Sequence, residues 1–129
     1  MEQRLLAQEA QSLLEEAESA FQTDRHRAKT LATEALTICR RLSDPKPLAR
    51  ALDLIGRLHQ IAGRLQEAKE SMEEGLELRQ TLGDKKGTGI SLRNLSFLSK
   101  WMGKFDEAEE QIGQSMSIFT LLSDTDQLA

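Results

Sequence analysis

Apolar residues recur at steps of three and four through most of the chain, the spacing of helices with one buried face. Leu48, Leu52, Ile55, Leu58 and Ala62 mark one such face, which Gly63 interrupts. Leu65, Ala68, Met72, Gly75 and Leu76 resume the spacing for a second helix. The pattern returns as Leu92, Leu95 and Leu98, then Gly103, then Phe105, Ala108, Ile112, Met116 and Phe119. Slid by 40 residues without gaps, 41–80 and 81–120 share nine identities, among them Leu52/Leu92, Leu58/Leu98, Gly63/Gly103 and Ala68/Ala108. Residues 1–40 fit the frame less closely, through Leu14, Ala28, Lys29, Glu34 and Leu36. Leu122-Ser123-Asp124 open a fourth unit. The reading is one domain over 1–129, with repeats at about 1–40, 41–80 and 81–120 and a stub at 121–129. Each repeat is a pair of antiparallel helices.

Breaks fall where this reading needs them. Ser43-Asp44-Pro45-Lys46-Pro47 and Gly83-Asp84-Lys85-Lys86-Gly87 separate the repeats, with glycine or serine to end a helix, aspartate to cap and prolines to prevent read-through. Acidic residues crowd the start of each second helix, at Glu67 and Glu70 and at Asp106, Glu107, Glu109 and Glu110, where the helix dipole favours them. Composition agrees: 21 leucines, no valine and no tyrosine make an all-α chain.

Charge and cysteine count narrow the functional classes. Seventeen Lys and Arg against 21 Asp and Glu leave a net charge of −4, which argues against a general nucleic-acid binder. No apolar run approaches the roughly 20 residues of a membrane span. The N-terminus lacks a signal-peptide core, and the single Cys39 fits a reducing compartment, so the expected location is cytoplasmic.

Ala68 and Ala108 anchor a longer spacing. Leu52 and Leu92 stand sixteen residues earlier, Gly56 and Ser96 twelve earlier, and Met72 and Ile112 four later. This large-small-small-large order resembles the tetratricopeptide repeat, and a period of 40 rather than about 34 resembles its long-helix subgroup. The matching stretches are Leu82-Gly83-Asp84, Asn94-Leu95-Ser96 and Gly103-Lys104-Phe105-Asp106-Glu107-Ala108. The first repeat departs from the pattern at Glu16, in the small-residue position, and at Asp24 in the turn. The resemblance covers 41–120 best. It implies a right-handed α-α superhelix, a solenoid of about three antiparallel helix pairs, with first helices lining a concave groove. It also implies protein binding, as in cell-polarity adaptors and bacterial signalling and transcription-regulator proteins.

The implied groove carries Arg50, Asp53, Arg57 and Gln60 in the second repeat, and Ile90, Arg93, Asn94, Phe97, Lys100 and Trp101 in the third. In the first it carries Ala10, Leu13, Leu14, Ala17 and Phe21. Arg50, Arg57, Arg93 and Lys100 against Asp53 alone favour an acidic peptide, unless these are ordinary solvated faces. The resemblance gives Asn94 a contact with the backbone of a bound extended peptide, which its amide suits as donor and acceptor. Phe97 supplies an apolar anchor, whereas Trp101 is expected to pack between repeats. The apolar end, at Leu13, Leu14, Ala17 and Phe21, suits a hydrophobic small molecule or signalling peptide instead.

No catalytic or cofactor reading gains support. His26 and His59 lie far apart, no paired Cys or His spacing offers a metal site, and Cys39 reads as a buried helix cysteine. Gly87-Thr88-Gly89 is too short for a phosphate loop, and Asp124-Thr125-Asp126 lacks the other ligands of a calcium loop. Nothing points to an enzyme. The rival to peptide capture is assembly: Ile112, Met116 and Phe119 on the last helix invite self-association, or packing within a larger regulator.

Overall fold

The computed structural model describes the backbone of residues 1–128 and the side chains of residues 1–123. It consists of six helices: α1 (Glu2–Ala20), α2 (Arg25–Cys39), α3 (Lys46–Ile61), α4 (Leu65–Leu82), α5 (Lys85–Trp101) and α6 (Phe105–Leu128). Turns of three or four residues fold α1 on α2, α3 on α4 and α5 on α6, and successive pairs join through α2–α3 and α4–α5. The first helices also touch in series, α1 on α3 and α3 on α5, while α2, α4 and α6 make no contact with one another among the described residues. The first helices therefore line the inner side and the second helices the outer. The all-α helical-repeat solenoid expected from the sequence is what forms.

Glycine ends three of the helices for a geometric reason. Gly63, Gly83 and Gly103 have φ of 82°, 71° and 77°, left-handed backbone that other residues rarely adopt. Each is followed by a residue whose N–H reaches back five positions: Arg64 to the carbonyl of His59 at 2.8 Å, Asp84 to Arg79 at 3.0 Å and Lys104 to Ser99 at 2.8 Å. Asp84 then caps α5, accepting from the Gly87 N–H at 2.9 Å, and Asp24 caps α2 through Arg27 at 3.1 Å. Ser123 stands where Gly83 and its positive φ would be, and α6 runs on to Leu128. The expected fourth unit is thus an extension of α6, and the side chains of Asp124, Thr125 and Asp126 lie outside the described residues.

The core follows the small-residue positions. Ala68, Met72, Leu95 and Leu98 form one buried cluster under the second and third repeats. Ala10, Leu14, Ala35, Cys39 and Ala51 form another between the first and second, and Ala17, Phe21, Ala32 and Leu54 a third. Burial pushes the Cys39 thiol pKa up, against the lowering influence of Arg50, and leaves it a packing residue.

The first repeat departs from the 40-residue frame in its first helix. The buried face of α1, at Ala10, Leu14, Ala17 and Phe21 with Leu13 half-buried, matches Ala49, Asp53, Gly56, Gln60 and Leu52 of α3 at a displacement of 39. One residue turns a helix face by about 100°. Ala17, not Glu16, therefore fills the small-residue position, and Glu16 faces solvent beside Arg27. The apolar stripe assigned to the inner groove is core instead, with only Phe21 reaching the lining of a small hollow beside Arg57 and Phe97.

Candidate interaction cleft

The inner surface holds an open cleft of about 620 Å³ between α1, α3 and α5. From α3 come Arg50, Asp53, Leu54 and Arg57; from α5 come Ile90, Arg93, Asn94 and Phe97. Residues Arg50, Arg57, Arg93, Asn94 and Phe97 were all expected here, because α3 and α5 point the same stripe inward. Lys100 is not part of the cleft wall, and its ammonium stands 5.8 Å from the Phe97 ring centroid, within cation–π range. Trp101, expected between repeats, is 57 % exposed at the end of α5.

Two charged lining residues lie outside the expected stripes. Glu18 enters from α1 once that helix is turned by the one-residue displacement, and it pairs with Arg50 across the mouth of the cleft. Both partners are well exposed, so the pair adds little to stability. Arg79 rises from the last turn of α4 and is only 9 % exposed. Its Nη1 donates to Asp53 on α3, to Ser91 Oγ on α5 at 2.8 Å and to the Gly87 carbonyl at 3.2 Å. The sequence signal was available in hindsight: Arg79 stands one period from Cys39 and Phe119, a charge in an otherwise apolar column.

Asp53 is accordingly not a groove charge open to a ligand. It is 7 % exposed, and its Oδ1 is buried with no donor among the described residues. Gly75 leaves room for that oxygen, since a Cβ there would stand 3.1 Å away. Burial raises the Asp53 pKa, opposed first by Arg79 and more weakly by Arg57.

The remaining cations are differently engaged. Arg57 lies over the Phe21 ring with its guanidinium carbon 4.3 Å from the centroid. Arg93 is exposed and has no partner among the described residues. Since Glu18 and Asp53 are each matched by an arginine, the cleft is left with a net positive surface on a net negative chain.

The end of the array was the other candidate surface. Met116 is 63 % exposed, whereas Ile112 is half-buried and Phe119 packs on α5 beside Gly89. Gly87-Thr88-Gly89 and Asn94-Leu95-Ser96 both lie within α5. Among the described residues no group of three or more His, Cys, Asp or Glu is placed to hold a metal ion. Among the described residues no helix is long and apolar enough to cross a membrane.

The comparisons with known proteins fit this architecture. Residues 48–85 match the family described as tetratricopeptide repeat. No curated protein matches the chain in sequence. Among solved structures the chain is similar to BtubC (BKLC) from P. vanneervenii, with a TM-score of 0.69 and 24 % identity, over 93 % of this chain and 57 % of that one. It therefore spans a little over half of that protein's length, and the likeness is one of fold. Residues 48–85 thus resemble a tetratricopeptide repeat, whose family in general mediates protein–protein interaction, and the chain as a whole has the fold of an all-α helical-repeat array.

Proposed function

We propose that the chain is a cytoplasmic, non-catalytic interaction module that holds an acidic segment of a partner protein in the cleft between α3 and α5. One observation carries the reading: Arg57, Arg93 and Asn94 converge on one cleft whose own carboxylates are already matched by Arg50 and Arg79. An acidic segment there gains charge-assisted hydrogen bonds from the guanidinium groups. Asn94 supplies a donor and an acceptor for a peptide unit. Phe97 adds apolar contact, and Lys100 at the rim adds longer-range attraction that salt screens.

The test is a pull-down from source-cell lysate, comparing the intact chain with Arg57→Glu/Arg93→Glu/Asn94→Ala after circular dichroism has verified the fold. A partner retained by the first is expected to be lost from the second. Glu18→Gln should instead hold that partner several-fold more tightly, because the carboxylate competing for Arg50 is gone. Equal retention by all three proteins would remove the cleft from consideration.

A second reading has its own observation. Phe105 and Met116 are exposed on α6, whereas their counterparts one period earlier, Leu65 and Leu76, are partly buried against the cluster of Ala68, Met72, Leu95 and Leu98. Self-association through this end predicts a mass that rises with concentration in sedimentation. A strict monomer at high micromolar concentration would sink it.

A further inference from the structure

We infer that the seam between the first and second repeats is a binding site for a short aliphatic carboxylate. A hollow of about 100 Å³ lies there between α2, α3 and the start of α4, and it shares no residue with the cleft. Ile55, Leu58 and Ala62 of α3 form its apolar floor. Lys29 of α2, His59 of α3 and Arg64 at the head of α4 stand around it.

The next seam shows what this one lacks. One period on, Met102 takes the place of Ala62 and packs on the buried cluster of Ala68, Met72, Leu95 and Leu98. Both residues end their helices with nearly the same backbone, φ −76° and ψ −3° at Ala62 against φ −84° and ψ −1° at Met102. Their Cβ atoms therefore leave in the same direction, and the hollow is the space that a methionine side chain fills one repeat later. Its floor is open in consequence: Ile55 and Leu58 are half-buried, whereas Leu95 and Leu98 are buried. An unbranched tail of methionine size covers that floor, which water otherwise meets.

The rim selects the head group. Neither Lys29 nor Arg64 forms an ion pair among the described residues. Glu67 is turned to the His59 ring, with its Oε2 3.7 Å from Nδ1. Thr33 stands where the next repeat has Glu73, so the α2 wall carries a hydroxyl in place of a carboxylate, and it donates to the Lys29 carbonyl at 2.7 Å. Two unpaired cations above an apolar hollow fit one carboxylate at the head of one apolar tail. A bare anion leaves the floor wet, and a neutral tail leaves both cations without a partner.

Titration of the intact chain with pentanoate, pentanamide and acetate tests this, read from the backbone amide resonances of Leu58, Ala62 and Arg64. Pentanoate is expected to shift them saturably and to bind at least tenfold more tightly than the other two. Ala62→Met should abolish binding and raise the urea midpoint, because the new side chain takes the ligand's place. Lys29→Gln/Arg64→Gln should keep the fold and bring pentanoate down to the level of pentanamide. Equal affinity for pentanoate and pentanamide would overturn the carboxylate site. Pentanoate binding that Ala62→Met leaves unchanged, or no saturable shift at high millimolar concentration, would overturn the hollow as its seat.

Discussion

Arg79→Ala is expected to destabilise the array by about 3–5 kcal/mol, the range for removing one partner of a buried ion pair. Three helices meet through this guanidinium, and Asp53 left alone would be a buried, unmatched carboxylate. Urea unfolding followed by circular dichroism reads the change as a lower midpoint. The deficit also depends on pH with a definite sign. Without Arg79 the main opposition to burial is lost, so Asp53 in the folded variant keeps its proton to higher pH than in the unfolded chain. The deficit is therefore full above that folded-state pKa and shrinks as pH falls through it toward the ordinary carboxylate range. Replacing both partners, as Asp53→Leu/Arg79→Met, should recover most of the loss, because no charge then stays buried. A single Arg79→Ala variant within experimental error of the parent would show that the contact holds nothing together.

Met72→Ala is expected to cost about 2–5 kcal/mol, the range for emptying a packed core site. Met72 is fully buried, and a Cβ on Gly56 would meet its Cγ at 2.7 Å and the Ala68 carbonyl at 3.3 Å. The pair therefore makes a sign-reversing prediction. In the parent chain Gly56→Ala gains about 1 kcal/mol of helix propensity but loses about 1–3 kcal/mol to overpacking. In the Met72→Ala background the clash with Met72 is gone and the propensity gain remains. Gly56→Ala should then stabilise by up to about 1 kcal/mol. A thermodynamic cycle measures the coupling, and strict additivity of the two changes would refute the contact as described. The third repeat shows the alternative solution: Ser96 carries a Cβ at this position and donates to the Ala108 carbonyl at 3.1 Å, opposite half-buried Ile112.

Most of the fold was legible because it depends on local chemistry repeated at a fixed interval. Gly63, Gly83 and Gly103 mark helix ends by a backbone requirement that no neighbour has to supply. The inward stripes of α3 and α5 follow from helical periodicity once the repeats are aligned, which is why Arg50, Arg57, Arg93, Asn94 and Phe97 fall on one cleft. The first helix was misread because a single-residue displacement leaves its apolar spacing intact while turning its face. Ala10, Leu14, Ala17 and Phe21 looked equally helical in either frame, and only contact with Ala51 and Leu54 decides between them. Arg79 escaped for a different reason. A basic residue in a helix's last turn is an ordinary surface choice, and its burial depends on Asp53 and Ser91 from two other helices.

The contact through Arg79 also means that the repeats are not interchangeable parts. A tandem copy of residues 41–80 inserted after position 80 would face the first Arg79 with Ala51 and Pro47 in the places of Ser91 and Gly87. The hydroxyl acceptor would be lost. A proline ring would stand where even a Cβ comes within 2.8 Å of the Arg79 Cδ. Excising the same 40 residues would set Cys39 beneath Ser91, with no cation for the hydroxyl to meet. Lengthening or shortening this array thus requires rewriting the seam along with the unit, and the order of its repeats is written into side chains as well as into the chain's connectivity.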